Sequence, residues 1–140
     1  MKKISSSSLL IYIAWIVSVV AMLGSLYFSE IKGFVPCDMC WYQRIVMYPF
    51  VILLGVASFK EDQKIYVYTL PLSILGTCLS FYHYLMQKVP NFAPVTPCSE
   101  GVPCSMQYIN WFGFITIPFL AFVAFLIITI LMVMLLKNSR

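Results

Sequence analysis

Four of the five cysteines in this 140-residue chain fall into two close pairs, Cys37-Asp38-Met39-Cys40 and Cys98 with Cys104. Paired thiols at short spacing can exchange bonds with another dithiol, and the attacking species is the thiolate. The first pair follows Pro36 and opens an apolar segment. At a helix N-terminus, the unpaired N–H groups and the helix dipole stabilise a thiolate. Two intervening residues let the pair close into a disulfide that is easier to reduce than a relaxed bridge across a long loop. Cys40 lies a turn deeper than Cys37, which suits one sulfur to water-borne thiols and the other to an acceptor dissolved in lipid. The second pair closes a short loop among Pro90, Pro94, Pro97 and Pro103. An exposed disulfide of that kind is open to a partner's thiolate.

The same cysteines admit plainer readings, and the residues alone leave them open. Both pairs can be inert structural bridges, although a CxxC at a helix start is an unusual one. Four sulfurs can hold zinc, but zinc sites favour short knuckle spacings in both halves, which the proline-rich gap between Cys98 and Cys104 does not offer; no metal is expected. The thiols can also be incidental. Cys78, alone in the third apolar segment, is expected to be a small buried packing residue. Arg44 follows Cys40 by one helical turn on the same face. A charged side chain inside a spanning segment is costly and tends to be functional. Arg44 either snorkels to the headgroups or stands beside Cys40, where it stabilises a thiolate and the charge developing on an electron acceptor. His83 is the sole histidine; it ends the third apolar segment on the same side, as an interfacial hydrogen-bonding residue or as part of the site. Gln43, Tyr42 and Tyr48 are weaker candidates for lining the same pocket.

These residues need elements to position them, and the composition says which. The chain is 61% hydrophobic and 10% charged, against about a quarter charged in soluble domains, so most of its surface must face lipid. A helix needs roughly 20 apolar residues to cross the hydrocarbon core. Residues 9–28, 40–59, 65–86 and 113–136 meet that length. The expected fold is all-α, a four-helix transmembrane bundle forming one integral membrane domain over residues 1–140, with loops at 29–39 and 87–112 that carry the paired cysteines. Pro49, Pro71 and Pro118 fall inside three of the segments, where kinks rather than breaks are expected because neighbouring helices can re-satisfy the freed carbonyls. The first segment is too long for a signal-peptide core and lacks a convincing cleavage site, so a retained anchor is expected. No phosphate loop, basic stripe or repeat is present, and no nucleic acid is expected as a partner.

Lysine and arginine near helix ends favour the cytoplasm. Lys2, Lys3, Lys60, Lys64, Lys137 and Arg140 fall on one side of a four-helix topology, and Lys32, Arg44 and Lys88 on the other. Both termini are therefore expected in the cytoplasm and all four paired cysteines outside, where disulfides persist. Trp41, Tyr42, Tyr108, Trp111 and Phe112 then cluster at the outer ends, as an interfacial aromatic belt does.

Taken together, Cys37-Asp38-Met39-Cys40-Trp41-Tyr42-Gln43-Arg44 at the start of a second span, followed by an outward loop bearing Cys98 and Cys104, resembles the DsbB family of disulfide bond formation proteins. The short loop spacing is similar to its BdbC-like branch. The resemblance runs from Leu9 to Leu136. It implies a thiol:quinone oxidoreductase of the bacterial inner or plasma membrane, with Cys37, Cys40, Cys98 and Cys104 catalytic. The cofactor it implies is a quinone, menaquinone or ubiquinone, and Arg44 and His83 are the candidate residues beside it. The implied partner is an extracytoplasmic thioredoxin-fold thiol oxidase, DsbA- or BdbD-like, which attacks Cys98 while electrons leave through the Cys37/Cys40 pair. Two rivals remain at this stage. One is a quinone-coupled enzyme like vitamin K epoxide reductase, whose CxxC lies in a later helix; the other is a structural tetraspan protein with inert disulfides.

Overall fold

The computed structural model describes residues 5–33, 38–88 and 116–139. Four helices long and apolar enough to cross a membrane account for nearly all of them: α1 (Ser6–Leu26), α2 (Asp38–Lys60), α3 (Tyr66–Lys88) and α4 (Ile117–Ser139). The all-helical expectation holds among the described residues, and the chain is a multi-pass membrane protein. Packing runs in a ring, α1 on α2, α2 on α3, α3 on α4 and α4 on α1, with only slight contact across the α2–α4 diagonal.

Helix ends follow local chemistry. Ser5 caps α1 by accepting the Ser8 N–H at 3.2 Å, so the helix begins before residue 9. At its far end it continues as a π-helical turn, Tyr27–Ile31, closed by the Lys32 N–H on the Tyr27 carbonyl. Between α2 and α3 the chain reverses at Glu61, whose φ of 55° is left-handed. The Asp62 N–H reaches back to the Ala57 carbonyl, and the Asp62 carboxylate accepts the Lys64 N–H. Pro49 and Pro71 lie within unbroken helices, as the sequence leads one to expect. Pro118 does not lie mid-helix. Among the described residues α4 starts at Ile117, so Pro118 occupies the first turn, where a missing N–H costs no helical bond.

Lipid leaves little hydrophobic force to hold helices together, so close packing and hydrogen bonds must do it. The buried positions of α3 are Thr69, Ser73, Gly76, Ser80 and His83, a four-three alternation that gives a left-handed seam. Its small residues let α4 approach: a Cβ at Gly76 would lie 2.3 Å from the Phe125 ring. Phe125 in turn meets Phe50 edge-on at 6.2 Å. The other helices supply Leu10, Ile11 and Ala14; Val46, Met47, Phe50, Leu54 and Ala57; and Ile128, Met132 and Leu135. Hydrogen bonds tie neighbours, with Trp15 Nε1 donating to the Val51 carbonyl at 3.0 Å and the Thr69 hydroxyl to Met132 Sδ at 3.0 Å. Cys78 departs from expectation. It is exposed, because two residues past Gly76 the helix has turned away from the seam toward lipid.

Candidate functional site

Cys40 is the third residue of α2, within the first turn, where backbone N–H groups have no helical acceptor. Met39 anchors that turn by burying against Leu79, Tyr82 and Met86 of α3. Cys40 then lies on a face with Gln43, Arg44, Met47 and Tyr48, the i, i+3, i+4, i+7, i+8 pattern of one helix side. All five line a cleft of about 500 Å³ walled also by α1 and α4. The α1 wall includes Ala21, Gly24 and Ser25, continued by Phe28 of the π-helical turn, and the α4 wall Ile117, Leu120, Ala121 and Ala124. Its volume falls in the range of small-molecule sites, roughly 300–1,000 Å³, and its lining has their mostly apolar character with a few placed polar groups.

Arg44 is the charged residue of this lining among the described residues, and no carboxylate joins it there. Its guanidinium donates to the Ser25 carbonyl at 3.1 Å and lies over the Trp41 ring at 5.3 Å. The Tyr48 hydroxyl donates to the Ser25 hydroxyl at 3.4 Å. Ser25 thus fixes two polar side chains of α2 from across the cleft. Arg44 is held inside the cleft with donor capacity to spare, since a guanidinium has five N–H groups.

His83 is fully buried on α3 and is not among the lining residues. It meets the cleft through Gln43, whose Nε2 donates to His83 Nδ1 at 2.9 Å. In a neutral ring this bond puts the imidazole proton on Nε2. The structure therefore brings Cys40, Gln43, Arg44 and Tyr48 onto one wall and sets His83 behind it. Tyr42 is exposed and turned off that face. Cys37, Cys98 and Cys104 lie outside the described residues, as do Tyr108, Trp111 and Phe112.

With that geometry in place, the sequence comparisons are decisive. The family model for disulfide bond formation protein DsbB matches residues 7–135. The chain belongs to the DsbB family. It is 59% identical to disulfide bond formation protein C of Bacillus subtilis (strain 168), over 89% of this chain and 91% of that protein. Probable disulfide formation protein C 1 of Bacillus anthracis is 52% identical, over 92% and 93%. A probable disulfide formation protein of Coxiella burnetii (strain CbuK_Q154) is 45% identical, over 89% and 85%. No solved structure matches the chain.

For this DsbB-family member the sequence missed the contribution of α1. Ser25 acts through its backbone carbonyl, which no residue type announces, and Gly24 is one glycine among six. The one available signal was spacing: 16, 17, 20, 21, 24, 25, 28 and 29 all line the cleft, so a wall facing α2 and α4 continues into the π turn.

Proposed function

We propose that this chain is a membrane thiol:quinone oxidoreductase. It reoxidises an extracytoplasmic thioredoxin-fold dithiol oxidase, DsbA- or BdbD-like, and passes the electrons to a membrane quinone, sustaining disulfide formation in exported proteins. One observation carries the reading: the deeper cysteine of the CxxC and a half-buried arginine share one apolar cleft among three spanning helices of a DsbB-family chain. The residues present fit a quinone. The lining is apolar enough for a ring, and Arg44 offers hydrogen-bond donors that no carboxylate among the described residues competes for within the cleft. His83 serves from behind, orienting the Gln43 carboxamide.

The cysteine relay keeps thiols and electrons in balance. The reduced partner's thiolate attacks Cys98 and releases Cys104; the partner's second thiol then displaces Cys98 and leaves with its own disulfide restored. The Cys98/Cys104 dithiol next exchanges with the Cys37–Cys40 disulfide, leaving that pair reduced. A quinone held beside Cys40 would supply the oxidising power, taking up the two electrons and two protons that the Cys37/Cys40 dithiol gives up as its disulfide re-forms. Arg44 stabilises the Cys40 thiolate and the charge that builds on the acceptor's oxygen. The net reaction is partner dithiol plus quinone giving partner disulfide plus quinol. The positive-inside bias supports an orientation with both termini in the cytoplasm and the paired cysteines outside the bacterial cell membrane.

Cys40→Ser tests the assignment. With reduced partner and quinone supplied to purified protein, the variant should show no quinone reduction above background. Wild-type turnover in Cys40→Ser would refute the relay.

A further inference from the structure

Gly24 stands inside α1, where a glycine is poorer for helix stability than an alanine. Three physical reasons commonly keep a glycine in such a place: a left-handed φ, the close approach of another element, or a need for open space. The first is absent, since Gly24 has ordinary helical geometry. So is the second: a Cβ built at Gly24 meets nothing within 4 Å, whereas one at Gly55 would meet Trp15 Nε1 at 3.0 Å and one at Gly76 the Phe125 ring at 2.3 Å. Only the third remains, and the space belongs to the cleft that Gly24 lines together with Cys40 and Arg44. Its neighbour Ser25 supplies the carbonyl that holds the Arg44 guanidinium. Whatever Arg44 donates to in the cleft therefore lies against the Gly24–Ser25 turn of α1.

We propose that Gly24 is a specificity-determining residue for the quinone ring. This rests on the quinone reading given above and deepens it. The missing side chain leaves a notch that receives the edge of the ring while a ring oxygen faces Arg44. A methyl group there narrows the notch and an isobutyl group fills it. The penalty grows with the width of the ring, so a bicyclic naphthoquinone suffers more than a monocyclic benzoquinone.

The test uses the full-length protein in lipid nanodiscs, as wild type, Gly24→Ala and Gly24→Leu. Short-chain benzoquinone and naphthoquinone are titrated while tryptophan fluorescence is followed, Trp41 lying against Arg44. Quinone-dependent turnover with reduced partner is measured in parallel. Thermal unfolding without quinone reports folding, and Gly24→Ala should unfold at or above the wild-type temperature. A methylene-sized change in an apolar pocket is worth about ten-fold or more. Gly24→Ala should therefore weaken naphthoquinone binding about ten-fold, with a smaller change for benzoquinone. Gly24→Leu should weaken both by roughly a hundred-fold. If Gly24→Ala, folded, binds and reduces both quinones with wild-type constants, Gly24 merely faces lipid and the inference is overturned while the quinone reading stands. If wild type neither binds nor reduces either quinone, both fall together.

Discussion

Replacing Arg44 gives the sharpest reading of the cleft. Its guanidinium bonds the Ser25 carbonyl at 3.1 Å and covers the Trp41 ring, so the fork is fixed in place before any ligand arrives. Among the described residues the lining holds no carboxylate, so none competes there for its remaining donors. A hydrogen bond to a charged donor contributes roughly 1.5–3 kcal/mol, or about 10- to 150-fold at 1.4 kcal/mol per decade. Arg44→Ala should raise the KM for quinone by that factor and leave the KM for the partner dithiol unchanged. Arg44→Lys keeps the charge but loses the planar fork, and should fall between alanine and wild type. The assay follows quinone absorbance in purified protein while each substrate is varied in turn. A fall in kcat should accompany the rise in KM, reporting the arginine's action on charge developing during transfer. If the quinone dependence of Arg44→Ala matches wild type, Arg44 is an interfacial anchor and its role here is wrong.

Other consequences are equally open to measurement. Cys104→Ser should trap a mixed disulfide between Cys98 and the partner, visible as a reducible band on non-reducing gels; no such adduct after incubation with reduced partner would contradict the order of attack. Gly76→Ala should destabilise the bundle by about 1–3 kcal/mol through overpacking, since the added Cβ would fall 2.3 Å from the Phe125 ring, and Phe125→Leu should recover part of the loss; an unchanged unfolding temperature in Gly76→Ala would show that the α3–α4 contact is looser than described. In reduced intact cells, a membrane-impermeant maleimide should label Cys37, Cys98 or Cys104, and labelling only after permeabilisation would invert the proposed orientation.

Much of the bundle could be read from length and charge, because roughly 20 uncharged residues bounded by lysines can satisfy their backbone only as a spanning helix. Faces were a different matter. In water a buried face is the apolar one, but here Ile13 and Ile52 face outward while Thr69, Ser73 and Ser80 are buried, so apolar periodicity carries no inside-outside contrast. That is why Cys78 was expected inside. The small-polar seam on α3 was the available signal, and it reads through size rather than hydropathy. Cys40 and Arg44 were recognisable because a CxxC and an intramembrane arginine are rare and one turn apart. Ser25 was not, since its contribution is a carbonyl; nor was the retreat of His83 behind Gln43, which depends on how α2 and α3 are rotated against each other.

The central claim is that two thiols of the partner are oxidised for each quinone reduced, through this protein's cysteines. Mixing reduced partner, quinone and a catalytic amount of purified protein without oxygen, then counting partner disulfide against quinol, tests it directly. The account predicts one disulfide per quinol and no reaction when Cys40 is serine. Disulfide formed without quinol, or quinol formed at the same rate by Cys40→Ser, would contradict it.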